Sequence, residues 1–165
     1  MSHPPILETR ALTWADEAAC GAFARALARL PAVANAHITL VGPLGAGKTT
    51  FVRHLLRGLG VQGRIKSPTY AVMEPHQLPD GRPVAHFDFY RFSDPREWED
   101  AGFRELLAGP GLKLCEWPSH AAALLPLADL QLRLQVRADE AREVEAQAHG
   151  PRGLALLAAL QEGAA

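Results

Sequence analysis

Gly42, four further residues and then Gly47-Lys48-Thr49 satisfy the pattern GxxxxGK[ST] within VGPLGAGKTT, residues 41–50. Each residue type in that pattern has a chemical reason. Glycines let the backbone turn tightly and bring its N–H groups inward. Those N–H groups, with the N-terminus of a following helix, form a concave anion site. Lys48 can reach the outer phosphates of a nucleotide, and the Thr49 hydroxyl can ligate magnesium. The candidates for holding the phosphates are therefore Gly42, Leu44, Gly45, Ala46, Gly47, Lys48, Thr49 and Thr50.

A phosphate loop does not say what is done with the phosphate. Mg²⁺ normally keeps several waters and takes one or two carboxylates besides phosphate oxygens. Two acids stand where a buried strand would end: Asp88 in HFDFYR and Glu116 in KLCEWP. In VAHFDFY a period of two puts His86, Asp88 and Tyr90 on one face, with Phe87 and Phe89 on the other. Asp88 can then point at a site while the phenylalanines pack. LKLCE is a mostly apolar run ending in an acid, the form of a Walker B strand. Either acid could take the metal. Ser67-Pro68-Thr69 adds a hydroxyl-rich turn after the loop's helix, which either senses a terminal phosphate, as switch segments do, or is a plain turn.

These residues need elements to position them. A short strand is expected over 6–13. Asp16 and Glu17 open a helix to about Leu30, with Cys20, Phe23, Leu27 and Leu30 at helical spacing and Pro31 ending it. AHITLV, 36–41, has the composition of a strand buried on both faces. After the loop, Phe51, Val52, Leu55, Leu56 and Leu59 form the apolar stripe of a helix that stops near Gly58 and Gly60. Pro79-Asp80-Gly81 is a turn between two antiparallel strands expected at 69–75 and 84–90. A polar helix is expected from about Asp94 to Leu107, then strands at 112–118 and 130–136, a weaker one near 142–147, and a last helix over 153–161. The predicted fold class is α/β: a three-layer fold of the P-loop NTPase kind, with a mixed parallel and antiparallel sheet and helices on both faces.

Bulk composition narrows the partners. The 165 residues suit one domain, here 1–165, and 48% hydrophobic residues suffice for an ordinary core. The formal net charge of −1, from 17 basic and 18 acidic side chains, lacks the basic excess of a protein that coats nucleic acid. No apolar run approaches the ~18 residues of a membrane span. The start MSHPPILETR lacks the basic-then-apolar order of a signal peptide, so a cytoplasmic protein without membrane contact is expected. Cys20 and Cys115 stand far apart in apolar runs and read as reduced, buried thiols. The seven histidines are not set at a zinc-ligand spacing.

Taken together, the motifs resemble those of the TsaE family, bacterial P-loop ATPases required for making threonylcarbamoyladenosine at position 37 of tRNA. The resemblance is carried by GPLGAGKTTF (42–51), KSPTY (66–70), HFDFYR (86–91) and CEWP (115–118), in the family's order and spacing. It implies ATP or ADP as ligand, with Lys48 on the phosphates and Thr49 and Glu116 on Mg²⁺. It further implies that Asp88 orients or deprotonates the attacking water, with Thr69 assisting from the switch segment. Tyr90, Arg91 and Trp117 match family positions near the site; Trp117 either flanks the nucleotide or is a core aromatic. The implied partners are TsaB and TsaD, with tRNA reached indirectly through that complex. Cys20 stands where the family usually has Thr, Ala24 where it has a glycine, and Pro43 where it often has an acid. The first helix lies near the base in the family, so base selectivity is the property those departures bear on.

Three functional readings follow. One is an ATP-hydrolysing accessory of tRNA modification, weak alone. A second is a small-molecule kinase, although only Arg96 and Arg104 follow Arg91 on a predicted helix, where a kinase lid would carry an arginine cluster. A third is an adaptor that uses nucleotide only to order its switch segment.

Overall fold

The computed structural model describes residues 5–65, 68, 72–92, 102–122 and 125–163. Its centre is a seven-stranded sheet, and the strands in chain order are β1 (Glu8–Trp14), β2 (His37–Val41), β3 (Met73–Gln77), β4 (Pro83–Asp88), β5 (Leu112–Glu116), β6 (Leu130–Val136) and β7 (Arg142–Ala148). The spatial order is β1-β7-β6-β2-β5-β4-β3. β2 pairs in parallel with β5 and β6, and β4 pairs in parallel with β5. The outer pairs, β1 with β7, β6 with β7 and β3 with β4, are antiparallel. The sheet is therefore mixed, as predicted.

The most apolar strands lie in the middle. β5 is buried along its whole length, and β2 is buried except at Val41. β6 alternates buried and accessible residues over Leu130–Leu134, as a strand with one wet face must. The run near 142–147, weak by sequence, is a full strand because β6 and β1 pair with it on both sides.

Among the described residues four helices flank the sheet: α1 (Glu17–Ala28), α2 (Lys48–Gly58), α3 (Phe103–Ala108) and α4 (Pro151–Gly163). The Asp16 side chain caps α1 by accepting from the Ala19 N–H at 2.9 Å. Pro31 ends the helical stretch as expected, opening a 3₁₀ turn over Pro31–Asn35. The predicted stripe of α2 is buried at Phe51, Val52, Leu55 and Leu56. Phe51 stacks on Trp14, with ring centroids 5.9 Å apart, and Phe23 of α1 leans on both. Residues of α1, α2 and α4 share one large core with Ile38, Leu40, Leu114, Leu132 and Val144 of the sheet.

A second, smaller core of Phe87, Phe89, Phe92, Phe103, Leu107, Cys115 and Ala121 lies on the opposite face. Helices therefore lie on both faces of the sheet, as expected. The opposite face is roofed over β4 and β5 by α3 and the turn Pro118–Ala121, while Arg133, Gln135, Glu143 and Glu145 of β6 and β7 are exposed there. An antiparallel hairpin tolerates this because its polar face needs no cover.

Several boundaries differ from expectation. β3 runs from Met73 to Gln77, with Val72 before it at φ 66°, and residues 69–71 of the expected strand lie outside the described residues. β4 stops at Asp88, and Tyr90 sits in a turn. The described part of the predicted polar helix is Phe103–Ala108; residues 93–101, Arg96 among them, lie outside the described residues. No helix among the described residues is long and apolar enough to cross a membrane.

Candidate functional site

The phosphate loop runs from the C-terminal end of β2 into α2. Gly42 lies so close to β6 that a Cβ there would stand 2.6 Å from the Leu134 carbonyl oxygen. Gly47 caps α2 with φ 106°, a left-handed conformation that other residues rarely adopt. Between them the Ala46 N–H donates to the Pro43 carbonyl at 3.1 Å and tightens the loop. Pro43 is exposed and lacks only a donor that this turn does not use.

Because β2, β4 and β5 are parallel, their carboxyl ends meet at one edge, where open α/β sheets hold their ligands. Register places Leu40 beside Glu116 and Glu116 beside Asp88. The Thr49 hydroxyl, in the first turn of α2, donates to Glu116 at 2.9 Å from Oε1 and 3.2 Å from Oε2. His86 approaches the same carboxylate from β4, donating from Nε2 to Oε2 at 2.6 Å. Glu116 and His86 are both buried, so each polar atom left unpaired there would be costly. His86 Nδ1 has no hydrogen-bond partner among the described residues.

Asp88 is half-buried and accepts from the Tyr90 N–H at 3.0 Å through Oδ1. Burial pushes its carboxyl above the usual carboxylate range; the Tyr90 N–H opposes that shift and the Glu116 charge adds to it. Burial also lowers the Lys48 ammonium, against the pull of Glu116 and Asp88. Lys48 Nζ donates to the carbonyls of Gly42 and Pro43, the latter at 3.0 Å. The same ammonium lies 4.2 Å from the centroid of the Trp117 ring, a cation–π geometry. Trp117 is half-buried with φ 56°, and Tyr90 packs on it at 4.9 Å between centroids. Trp117 thus lines the cavity beside the loop and also packs against the smaller core, so both of its sequence readings stay open.

These groups surround a cavity of ≈ 250 Å³ lined by loop residues Leu44 to Thr50 together with Asp88, Tyr90, Glu116, Trp117 and Arg142. A neighbouring cavity of ≈ 330 Å³ is lined by Trp14, Asp16, Glu17, Cys20 and Glu140, and shares Ala46, Gly47, Thr50 and Arg142 with the first. Among the predicted site residues, the fold therefore gathers Lys48, Thr49, Asp88, Glu116 and Trp117 with the loop. Thr69 and its neighbour Ser67 lie outside the described residues.

Magnesium fits the donors present. Among the described residues no group of three His, Cys, Asp or Glu side chains could hold a metal unaided. Thr49 and Glu116 instead offer a hydroxyl and a buried carboxylate within 3.2 Å of each other. Such hard oxygen donors, completed by phosphate oxygens and water, are what Mg²⁺ accepts.

Sequence reasoning passed over Arg142 and gave His86 no role. His86 was already on the right face by alternation, and its partner could not be named without the β4–β5 register. Arg142 had no local signal at all.

The family model for threonylcarbamoyl adenosine biosynthesis protein TsaE matches residues 14–144, which span every element from the end of β1 to β7. The chain belongs to the TsaE family. It is similar to the tRNA threonylcarbamoyladenosine biosynthesis protein TsaE of Haemophilus influenzae, with 39% identity over 74% of this chain and 77% of that one. The TsaE protein of Bacillus subtilis is 39% identical over 70% of this chain and 71% of its own length. The TsaE protein of Treponema pallidum is 37% identical over 65% and 78% respectively. In three dimensions the chain is similar to the crystal structure of Bacillus subtilis YdiB, with a TM-score of 0.78 and 29% identity, covering 99% of this chain and all of that one. The TsaE match takes in the loop, both acids and Arg142, so every described group of the site lies inside the family's own span.

Proposed function

We propose that this chain binds ATP with Mg²⁺, hydrolyses it, and in doing so assists formation of threonylcarbamoyladenosine on tRNA by acting on a TsaB–TsaD complex. The observation that carries the reading is the contact of Thr49 with Glu116 beside the phosphate loop, with Asp88 next to Glu116 in register. The tRNA modification is supported by the names of the Haemophilus influenzae and Bacillus subtilis relatives, each a tRNA threonylcarbamoyladenosine biosynthesis protein.

In this reading the loop amides and Lys48 hold the phosphates. The Lys48 bonds to Gly42 and Pro43 keep the ammonium at the loop, and Trp117 limits where else it can go. Thr49 and Glu116 hold Mg²⁺, which supplies charge neutralisation on the phosphate oxygens when bound. Asp88 orients the attacking water and accepts its proton. Its raised affinity for protons, caused by burial, makes it a better base than an exposed aspartate. The nucleoside falls to the neighbouring cavity, where Cys20 and Trp14 form the wall. No arginine finger follows from the loop sequence, and supplying one is worth ~10³–10⁵ in rate, so turnover is slow until a partner contributes.

Phosphate release measured with and without TsaB and TsaD tests this directly. Wild type is expected to turn over slowly alone and at a changed rate with the partners. Lys48→Ala is expected to lose activity by ~10²–10³, the usual cost of removing a group that stabilises developing charge. Undiminished release by Lys48→Ala would remove the assignment of the loop as the reacting site.

A further inference from the structure

We propose that Arg142 is a positioning residue that sets the phosphate loop in its anion-binding form. The proposal rests on reading that loop as the nucleotide site. Arg142 opens β7, where register places it beside Trp14 of β1 and Val136 of β6. From there its guanidinium crosses to the loop, 97 residues away in sequence from Gly45. Nε donates to the Ala46 carbonyl at 2.9 Å and Nη2 to the Gly45 carbonyl at 3.3 Å. Nη1 donates to the Glu140 carbonyl, and Glu140 holds φ 68°, a conformation that non-glycine residues seldom adopt. Three acceptors on two segments leave the planar group one orientation.

The consequence follows from peptide geometry. In a trans peptide the C=O and the next N–H point in opposite directions within one plane. Binding the Ala46 carbonyl on the Arg142 side therefore turns the Gly47 N–H away from Arg142. A loop that aims amides at an anion must aim carbonyls outward, and those carbonyls need partners of their own. Arg142 satisfies two of them at once. Lysine could bring the charge, but not a rigid fork that matches two successive carbonyls.

The test uses the full-length protein, two variants, Arg142→Lys and Arg142→Gln, and two probes, Mg·ADP and Mg·pyrophosphate. Calorimetry gives the affinities, thermal melting without ligand reports the fold, and the ¹⁵N–¹H resonance of Gly47 reports the loop. Wild type is expected to bind both probes and to shift the Gly47 resonance. Both variants are expected to bind both probes about tenfold more weakly, in line with the loss of charge-assisted hydrogen bonds, and to show a reduced Gly47 shift at saturation. A merely structural arginine would lower the melting temperature and leave the Gly47 shift of the folded protein unchanged, and that result overturns the proposal. Wild-type affinity in Arg142→Lys overturns it too, since charge alone would then suffice. Weakened ADP with unaltered pyrophosphate would place the arginine on the nucleoside and defeat the loop-positioning role. Failure of wild type to bind either probe would instead sink the nucleotide-site reading itself, and this inference with it.

Discussion

The Thr49 hydroxyl and the Glu116 carboxylate meet at 2.9 Å although 67 residues separate them in the chain. One stands on the first turn of α2, the other on the last residue of β5, the parallel neighbour of the strand β2 that leads into the loop before α2. If the pair holds Mg²⁺, Glu116→Gln keeps the shape and removes the charge. Nucleotide affinity in Mg²⁺ should then fall towards its metal-free value, while affinity in chelator stays as in wild type. Calorimetry under both conditions reads the difference. Equal metal dependence in the two proteins would take Glu116 out of the metal site.

His86 holds the other side of the same carboxylate at 2.6 Å, with both side chains almost wholly buried. His86→Ala strips Glu116 of a buried partner. An expected loss of about 1–3 kcal/mol of unfolding free energy follows, measurable by urea denaturation. Metal-dependent nucleotide affinity should fall ~10–100-fold as well, the scale seen when an outer partner of a metal ligand is removed. His86→Asn, which can still donate, should recover part of both.

Asp88 is beside Glu116 in register but turns its Oδ1 to the Tyr90 N–H. In the proposed function the two acids have separable duties. Asp88→Asn should abolish hydrolysis by ~10² or more and leave nucleotide and magnesium affinity nearly unchanged. The same variant separates a hydrolase from an adaptor. Should tRNA modification persist at the wild-type level with hydrolysis gone, the chain acts by binding nucleotide alone.

Cys20 lines the neighbouring cavity at the start of α1 and is buried. Burial first, and then the Glu17 charge, push its thiol from an ordinary 9.0 up to about 12. The folded state thus keeps this proton longer than the unfolded chain does. The stability it contributes is complete below the unfolded value and is lost as pH rises through about 9.0 towards about 12. Guanidinium unfolding at pH 8 and pH 10.5 should show a larger drop for wild type than for Cys20→Ala. Native protein at pH 8 should resist iodoacetamide, and denatured protein should not. Rapid alkylation of Cys20 in the native state would contradict the burial.

Much of the site was legible because its chemistry is local. The loop, its lysine and threonine, and the helix after it occupy one contiguous stretch, and amphipathic spacing alone identified the buried face of α2. Asp88 and Glu116 were found because a buried strand ending in an acid is an unusual pattern. Boundaries were legible where side-chain chemistry enforces them, as at Asp16 and Pro31. They were missed where the backbone turns without such a signal, as at Tyr90.

By itself the amino-acid order determined where the glycine-rich loop and its helix stand, which strands are buried on both faces, and to which family the motifs point. It could do so because turns, helix stripes and strand alternation are short-range consequences of side-chain type. Only the tertiary structure decided that Glu116 answers to Thr49 and His86, that one half of a sheet face stays wet, and that Arg142 grips the loop. Those facts depend on strand order and register, which are set by how the whole core packs, and no window of sequence contains both ends of such a contact.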